Sequence, residues 1–108
     1  MTTTAKEILR ILVRLHDERP QEWIYGLQIA ELGDGLLPSS TYPVLQRLVS
    51  LGWLDDRWED IDTHAAKRAR RRFYRFTPDG LVASREALAA SDARQRAARR
   101  SVRAPRTA

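Results

Sequence analysis

The residues of this sequence best suited to binding chemistry are its arginines. Arginine accounts for 17 of the 19 basic residues, and its planar guanidinium is suited to bidentate contact with phosphate. Residues 1–66 carry 6 basic and 11 acidic residues, whereas residues 67–108 carry 13 and 3. The second segment therefore has a net charge of +10, which points to a polyanionic partner. All of its basic residues except Arg85 fall in two runs: Lys67, Arg68, Arg70, Arg71, Arg72 and Arg75, then Arg94, Arg96, Arg99, Arg100, Arg103 and Arg106.

Catalytic chemistry is not indicated by any comparable pattern. His16 lies among acidic residues, and His64 follows Asp60 and Asp62, so a metal ion or a general base could be imagined at either histidine. However, the acidic stretch lacks the glycine and the closing glutamate of a calcium loop, and no glycine-rich phosphate loop or nucleophile elbow is present. The sequence has no cysteine, which excludes disulfides and thiolate ligands. We therefore predict no catalytic site, no metal site and no cofactor.

Length and composition fit one folded domain. The chain has 108 residues, of which 43% are hydrophobic and 31% charged, as in ordinary globular proteins. No apolar run is long enough for a membrane span, and the N-terminus has no pattern of a secretory signal. We expect a cytoplasmic protein with no membrane association.

Three helices are predicted in the first half of the chain. Thr4 and Glu7 form a capping-box pattern, followed by apolar residues at helical spacing, which predicts a first helix over residues 4–18. A second helix is predicted over residues 25–32, ended by Gly33 and Gly35.

The third helix is predicted from Ser40 as N-cap, with Pro43 in its first turn, to about Leu51. Its apolar periodicity divides it into two faces. The inner face is predicted to contain Thr41, Val44, Leu45 and Leu48, and the outer face Tyr42, Pro43, Gln46 and Arg47.

A hairpin and a last helix follow. Residues 53–59 and 72–76 are aromatic-rich and alternate in polarity, as in β-strands, and the polar stretch between them is expected to be a long flexible tip. Leu54 and Trp58 are assigned to the same inner face as Tyr74 and Phe76. Thr77-Pro78-Asp79 supplies an N-cap, a proline at the first helical position and an acid in the first turn, which predicts a helix from Pro78 to about Arg96.

These elements predict a mainly α fold with a small β-hairpin, in the order of a winged helix-turn-helix followed by a C-terminal helix. We divide the chain into a DNA-binding domain at 1–77, a C-terminal helix at 78–100 and a basic, disordered tail at 101–108.

The sequence also resembles the PadR family of transcriptional regulators over about residues 5–82. Residues 25–30 (YGLQIA) are similar to that family's aromatic-Gly-x-x-Ile-Ala segment, and residues 41–48 (TYPVLQRL) to its Thr-Leu-Tyr-Pro-x-Leu-x-Arg-Leu recognition helix, with one residue fewer between Thr and Tyr. Gly52-Trp53-Leu54, together with Trp58, resembles the entry to its wing. Residues 72–80 (RFYRFTPDG) resemble its Lys-Tyr-Tyr-x-Leu-Thr-x-x-Gly return strand. The short C-terminus resembles the subfamily with a single C-terminal helix.

The resemblance implies a repressor that binds double-stranded DNA as a homodimer. The third helix would enter the major groove, where glutamine can bond adenine, and the basic wing would contact the backbone or the minor groove. The predicted DNA contacts are Ser39, Ser40, Thr41, Tyr42, Gln46 and Arg47 on the helix, and Lys67, Arg68, Arg70, Arg71 and Arg72 on the wing.

Dimerisation is expected at the last helix, where Leu81 and Leu88 are seven residues apart, together with Ile8, Ile11 and Leu15 of the first helix. Some members of the family bind flat aromatic drugs at the dimer seam. This sequence has no aromatic residue after Phe76, so a small-molecule effector is not predicted.

Two alternatives remain open from the residues themselves. The wing arginines could neutralise Glu59, Asp60 and Asp62 across the hairpin instead of binding DNA. The whole domain could be a winged-helix protein-interaction module, or a nonspecific RNA-binding or architectural nucleic-acid protein.

Overall fold

The computed structural model describes residues 1–103. Five helices and three strands form the fold, so the predicted fold class, mainly helical with a small sheet, is confirmed. The helices are α1 (Thr3–Glu18), α2 (Gly26–Leu32), α3 (Pro38–Ser50), α4 (Thr63–Ala66) and α5 (Pro78–Arg103); the strands are β1 (Ile24–Tyr25), β2 (Leu54–Trp58) and β3 (Arg72–Phe76).

The strands form an antiparallel sheet in the order β1-β3-β2. Leu54 pairs with Phe76 and Trp58 with Arg72 along the hairpin, and Ile24 of β1 pairs with Tyr74. Strand β1 was not predicted, because two residues are too short to show an alternating pattern.

The core lies between α1, α3, α5 and the inner face of the sheet. Ile8, Ile29, Leu45 and Tyr74 are completely buried. Tyr74 and Phe76 face this core with Leu54, as predicted, but Trp58 is 57% exposed. The predicted inward position of Trp58 is therefore wrong, because the residue lies at the far end of β2.

Two predicted helix starts are also wrong. Helix α1 is capped by Thr2, whose hydroxyl accepts a hydrogen bond from the Ala5 N–H at 3.1 Å, so Thr4 and Glu7 are not its capping box. Helix α3 begins at Pro38 with Leu37 as N-cap, so Ser40 lies inside it. Pro43 also lies inside α3, where it cannot donate to the carbonyl of Ser39.

The tip of the hairpin contains a short helix where a flexible loop was predicted. The Asp62 carboxylate caps α4 by accepting hydrogen bonds from the N–H groups of His64 and Ala65 at 3.0 and 3.3 Å. Lys67 then takes a left-handed conformation with φ of 55°, which turns the chain back toward β3.

Helix α5 is longer than predicted and continues to Arg103, so it includes residues 101–103 of the segment predicted to be a disordered tail. Residues 93–101 are exposed throughout, and Arg94, Arg96, Arg99 and Arg100 lie there. Arg106 and the rest of the predicted tail lie outside the described residues.

Candidate nucleic-acid interface

The outer face of α3 presents most of the predicted helix contacts. Ser39, Ser40, Tyr42, Gln46 and Arg47 are exposed. Thr41 is 0% exposed, and its hydroxyl donates to the Leu37 carbonyl at 3.0 Å. The prediction that Thr41 contacts DNA is therefore wrong, whereas its predicted place on the inner face is confirmed.

Tyr42 and Gln46 are held by neighbouring elements. A Cβ atom on Gly26 would lie 2.5 Å from the Tyr42 ring, so the absence of a side chain at Gly26 allows that ring to pack on the start of α2. The Gln46 amide Nε2 donates to the Tyr74 hydroxyl at 3.3 Å.

Tyr74 is completely buried. This burial raises the pKa of its phenol, while the hydrogen bond from Gln46 lowers it. The phenol oxygen accepts this hydrogen bond from Gln46. The buried phenol thus orients an exposed amide.

A cleft separates the helices from the wing. It has a volume of about 500 Å³ and brings Tyr42 and Gln46 of α3 together with Arg70, Arg71 and Arg72 of the wing. The cleft is also lined by Tyr25, Gly26, Leu27, Trp58, Ala69 and Tyr74. Five of the predicted contact residues therefore lie along one depression.

Arg47 is not among the residues of this cleft. It lines a separate groove of about 760 Å³ together with Met1, Pro43 and Leu51. Lys67 and Arg68 also lie outside the cleft, at the wing tip.

Two wing arginines are paired with carboxylates of the wing itself. Arg68 Nη1 and Nη2 donate to the two Glu59 carboxylate oxygens at 2.6 and 3.1 Å. Glu59 Oε1 also accepts a hydrogen bond from the backbone N–H of Arg71 at 3.3 Å. The hydrogen bonds from Arg68 lower the pKa of Glu59, and Glu59 raises the pKa of Arg68. One of the alternatives drawn from the sequence was that wing arginines neutralise acidic residues of the hairpin. The ion pair between Arg68 and Glu59 is such a contact.

Arg72 is held in a similar way. Its Nε donates to the Asp56 carboxylate at 2.8 Å, its Nη2 contacts the same oxygen, and its guanidinium carbon lies 5.1 Å from the centre of the Trp58 ring. In contrast, Lys67, Arg70 and Arg71 form no ion pair within the described part of the chain. These three are the predicted wing contacts whose charge is not paired with a carboxylate of the described residues.

Sequence reasoning missed Tyr25 and Tyr74 as parts of the interface. Tyr25 lies under Arg71, whose guanidinium carbon is 4.4 Å from the centre of the ring. The signal for Tyr25 was its place directly before Gly26 in the YGLQIA segment. Tyr74 gave no such signal, because its contact with Gln46 joins residues 28 positions apart.

Two of the predicted dimer contacts belong to the chain's own core. Ile8 is 0% exposed, so its side chain offers no surface to a partner and its prediction as an interface residue is wrong. Leu88 is 9% exposed and lines a surface groove with Val13 and Arg14, so its contact with a partner stays a prediction. Ile11, Leu15 and Leu81 are partly buried and pack against the same core.

Residues 1–103 contain no group of three histidine, cysteine, aspartate or glutamate side chains that could hold a metal ion. Within the same residues, no helix is both long and apolar enough to cross a membrane.

The arrangement of α1, α2 and α3, the β2–β3 wing and the closing α5 defines a winged helix-turn-helix protein. No family profile matches the sequence, and no curated protein matches it. Solved structures do match, and several are PadR-family transcriptional regulators, so the resemblance found in the sequence is confirmed in the fold.

A PadR-family transcriptional regulator from Eggerthella lenta shares 25% identity with a TM-score of 0.67, over 92% of this chain and 88% of that one. One from Clostridium difficile shares 19% identity with a TM-score of 0.56, over 92% and 93%. Bacillus subtilis PadR, solved in complex with operator DNA, shares 19% identity with a TM-score of 0.58, over 82% of this chain and 48% of that one.

The structure also corrects the apparent gap in the recognition-helix motif. Thr41 is completely buried, as an apolar residue would be at that place of a helix. Ser40 therefore corresponds to the motif's Thr, Thr41 to its Leu and Tyr42 to its Tyr, and no residue is missing.

Proposed function

We propose that this protein is a sequence-specific DNA-binding transcriptional repressor that binds its operator as a homodimer in the cytoplasm. The observation that carries the proposal is the cleft in which Tyr42 and Gln46 of α3 meet Arg70 and Arg71 of the wing. A base-reading helix face and a set of cationic side chains then act on one duplex. The fold shared with PadR regulators, one of them in complex with operator DNA, supports this assignment.

The residues divide into two roles. Tyr42, Gln46 and Arg47 face outward from α3, where they would contact base edges in the major groove, with Gln46 bonding adenine N6 and N7. The hydroxyls of Ser39 and Ser40 would contact phosphates at the start of the helix. Lys67, Arg70 and Arg71 would bind the backbone or the minor groove, while Arg68 and Arg72 hold the wing in shape through Glu59 and Asp56.

A homodimer would place two copies of α3 in successive major grooves, roughly 34 Å apart. We propose α1 and α5 as the interface, with Ile11, Leu15 and Leu81 contributing their partly exposed surfaces. Occupation of a promoter by this dimer would block transcription, and no small-molecule effector is needed for that step.

The test is selection of binding sites from a random duplex library, followed by fluorescence anisotropy. The selected duplex and a scrambled duplex of equal composition are compared at low and near-physiological salt. A preference of about 1000-fold or more at the higher salt is expected of a sequence-specific regulator. Selection of no common sequence, with binding of both duplexes disappearing together as salt rises, would contradict the proposal.

A further inference from the structure

The outer face of the sheet, opposite the core, carries arginines alternating with aromatic rings. Side chains of a strand alternate between the two faces, so Arg57 of β2 and Phe73 and Arg75 of β3 lie away from buried Leu54 and Tyr74. We call this set the arginine–aromatic ladder; it consists of Trp23, Tyr25, Arg57, Arg71, Phe73 and Arg75.

Two ladder arginines share one ring. The guanidinium carbons of Arg75 and Arg57 lie 4.1 and 4.7 Å from the centre of the Trp23 ring. Arg57 also lies 6.0 Å from the centre of the Phe73 ring. These distances are those of cation–π contacts.

The ladder continues into the DNA cleft. Phe73 and Tyr25 meet edge to face with their centres 6.3 Å apart and their planes at 74°, and Arg71 lies over Tyr25. Tyr25 and Arg71 also line the cleft beside Tyr42 and Gln46. The outer face of the sheet is therefore continuous with the proposed DNA site.

The ladder arginines keep their charge available. Arg57, Arg71 and Arg75 form no ion pair within the described residues, whereas Arg68 and Arg72 on the same hairpin are paired with Glu59 and Asp56. Stacking on a ring orients a guanidinium without neutralising it and leaves N–H donors free.

We propose that this ladder binds the phosphate backbone of the DNA that flanks the bases read by α3. The inference rests on the proposed function, since it extends the same duplex from the cleft onto the outer face of the sheet. Oriented guanidiniums in a row suit successive phosphates, which are evenly spaced along a strand.

Substitution of Asp55 provides a test in which DNA binding is expected to become stronger. It is exposed and lies in cross-strand register with Arg75 on the outer face. Its carboxylate repels any phosphate bound there, so the substitution Asp55→Asn should strengthen binding to flanking DNA. A misfolded variant would not produce such a gain.

The experiment compares two duplexes in anisotropy titrations: the selected operator alone, and the same operator extended by about ten base pairs, one helical turn, on each side. The variant is Arg57→Gln. Its matched control is Arg14→Gln, which also removes one positive charge but lies on α1, away from the ladder, where Arg14 is 74% exposed and paired with Glu18. Because α1 is part of the proposed dimer interface, sedimentation equilibrium of both variants checks that the dimer is kept.

We expect Arg57→Gln to weaken binding of the extended duplex by about eightfold at 0.1 M salt and to reduce the salt slope by about 0.9, the amount expected when one phosphate is no longer neutralised. Binding of the short duplex should change no more than in Arg14→Gln. Asp55→Asn should strengthen binding of the extended duplex selectively.

Equal effects of Arg57→Gln on both duplexes, or no effect, would overturn the role of the ladder and leave operator binding intact. Poly-glutamate, titrated in parallel, represents an acidic protein partner. If Arg57→Gln loses poly-glutamate binding while its duplex binding is unchanged, the ladder binds an acidic protein instead of DNA, and its proposed role is overturned. A wild-type protein that binds selected and scrambled duplexes equally would overturn the proposed function, and this inference with it.

Discussion

At the scale of single residues, Gln46 and Arg70 are expected to act differently on DNA. Gln46 lies on the outer face of α3 with its amide held by Tyr74 at 3.3 Å, so Gln46→Ala should remove a base contact. We expect a loss of about 1–3 kcal/mol against the preferred base and a relaxed sequence preference. Arg70→Ala should weaken all duplexes alike and reduce the salt slope by about 0.9.

Anisotropy against single-base variants of the selected operator measures both effects. Ser50→Ala is a suitable control, because Ser50 is exposed at the other end of α3 and its hydroxyl donates to the Gln46 carbonyl at 3.0 Å. If Gln46→Ala and Arg70→Ala produce the same pattern across all sequences, the division into base and phosphate contacts is wrong.

Gly80 is a residue on which the docking of α5 depends. A Cβ atom at this position would lie 2.0 Å from the Trp53 carbonyl oxygen and 2.4 Å from its Cα, and neither is the end of a flexible side chain. Gly80→Ala should therefore lower the free energy of unfolding by about 3 kcal/mol through overpacking. Val82→Ala, at a position 56% exposed, should change it by less than about 0.5 kcal/mol.

Urea unfolding followed by tryptophan fluorescence measures both Gly80→Ala and Val82→Ala. Unchanged stability of Gly80→Ala would mean that α5 can move away from Trp53 at no cost, contrary to the close approach of the two segments.

At the scale of elements, the wing depends on Glu59, which accepts hydrogen bonds from the Arg68 side chain and the Arg71 N–H. These contacts place the pKa of Glu59 below its ordinary value of 4.5. A carboxyl group with a depressed pKa stabilises the fold above its unfolded pKa and loses that contribution as the pH falls through its folded pKa. Glu59→Gln should thus be less stable than wild type at pH 7.

The stability difference between wild type and Glu59→Gln should shrink as the pH falls below 4.5. Urea midpoints measured from pH 7 to pH 3 test this, with Glu31→Gln, an exposed substitution on α2, as the control for loss of one negative charge. A difference that stays constant across that range would show that the Glu59 carboxylate does not hold the wing.

Sequence patterns that lie within a single helix predicted which of its residues are buried. The helical period placed Thr41, Leu45 and Leu48 on the inner face of α3, and they are 0%, 0% and 3% exposed. For Thr41 the sequence analysis gave two predictions, a place on the inner face from the helical period and a DNA contact from the motif. The structure confirms the inner-face position and contradicts the DNA contact. A helix face is set by a spacing of three to four residues, which can be found within a single stretch of sequence.

Contacts between distant elements could not be predicted in the same way. The pairing of β1 with β3 places Tyr25 opposite Phe73 and so brings Arg71 over Tyr25, but two residues carry no strand pattern. Similarly, the sequence offered Glu59, Asp60 and Asp62 as partners for the wing arginines. Helix α4 takes Asp62 as its cap, and Glu59 is the one of the three that forms an ion pair in the described residues.

At the scale of the whole molecule, the end of α5 combines an elongated shape with a cluster of positive charge. The molecule measures 73 Å along its longest axis, against 28 and 25 Å across. Residues 93–101 of α5 are exposed throughout, and no acidic residue follows Asp92 in the sequence. This basic helix end is expected to attract DNA without regard to its sequence.

The combined substitution of Arg96, Arg99 and Arg100 by glutamine tests this expectation, since glutamine keeps the helical propensity. We expect binding of selected and scrambled duplexes to weaken alike, with the salt slope reduced by about 0.9 for each phosphate that the variant no longer neutralises. Substitution of Ala97 and Ala98 by glutamine is the control, because it changes the same segment and leaves its charge intact. Sedimentation equilibrium separates this effect from a loss of dimerisation. If the variant becomes monomeric and its salt slope per protomer is unchanged, these arginines belong to the dimer interface and do not contact DNA.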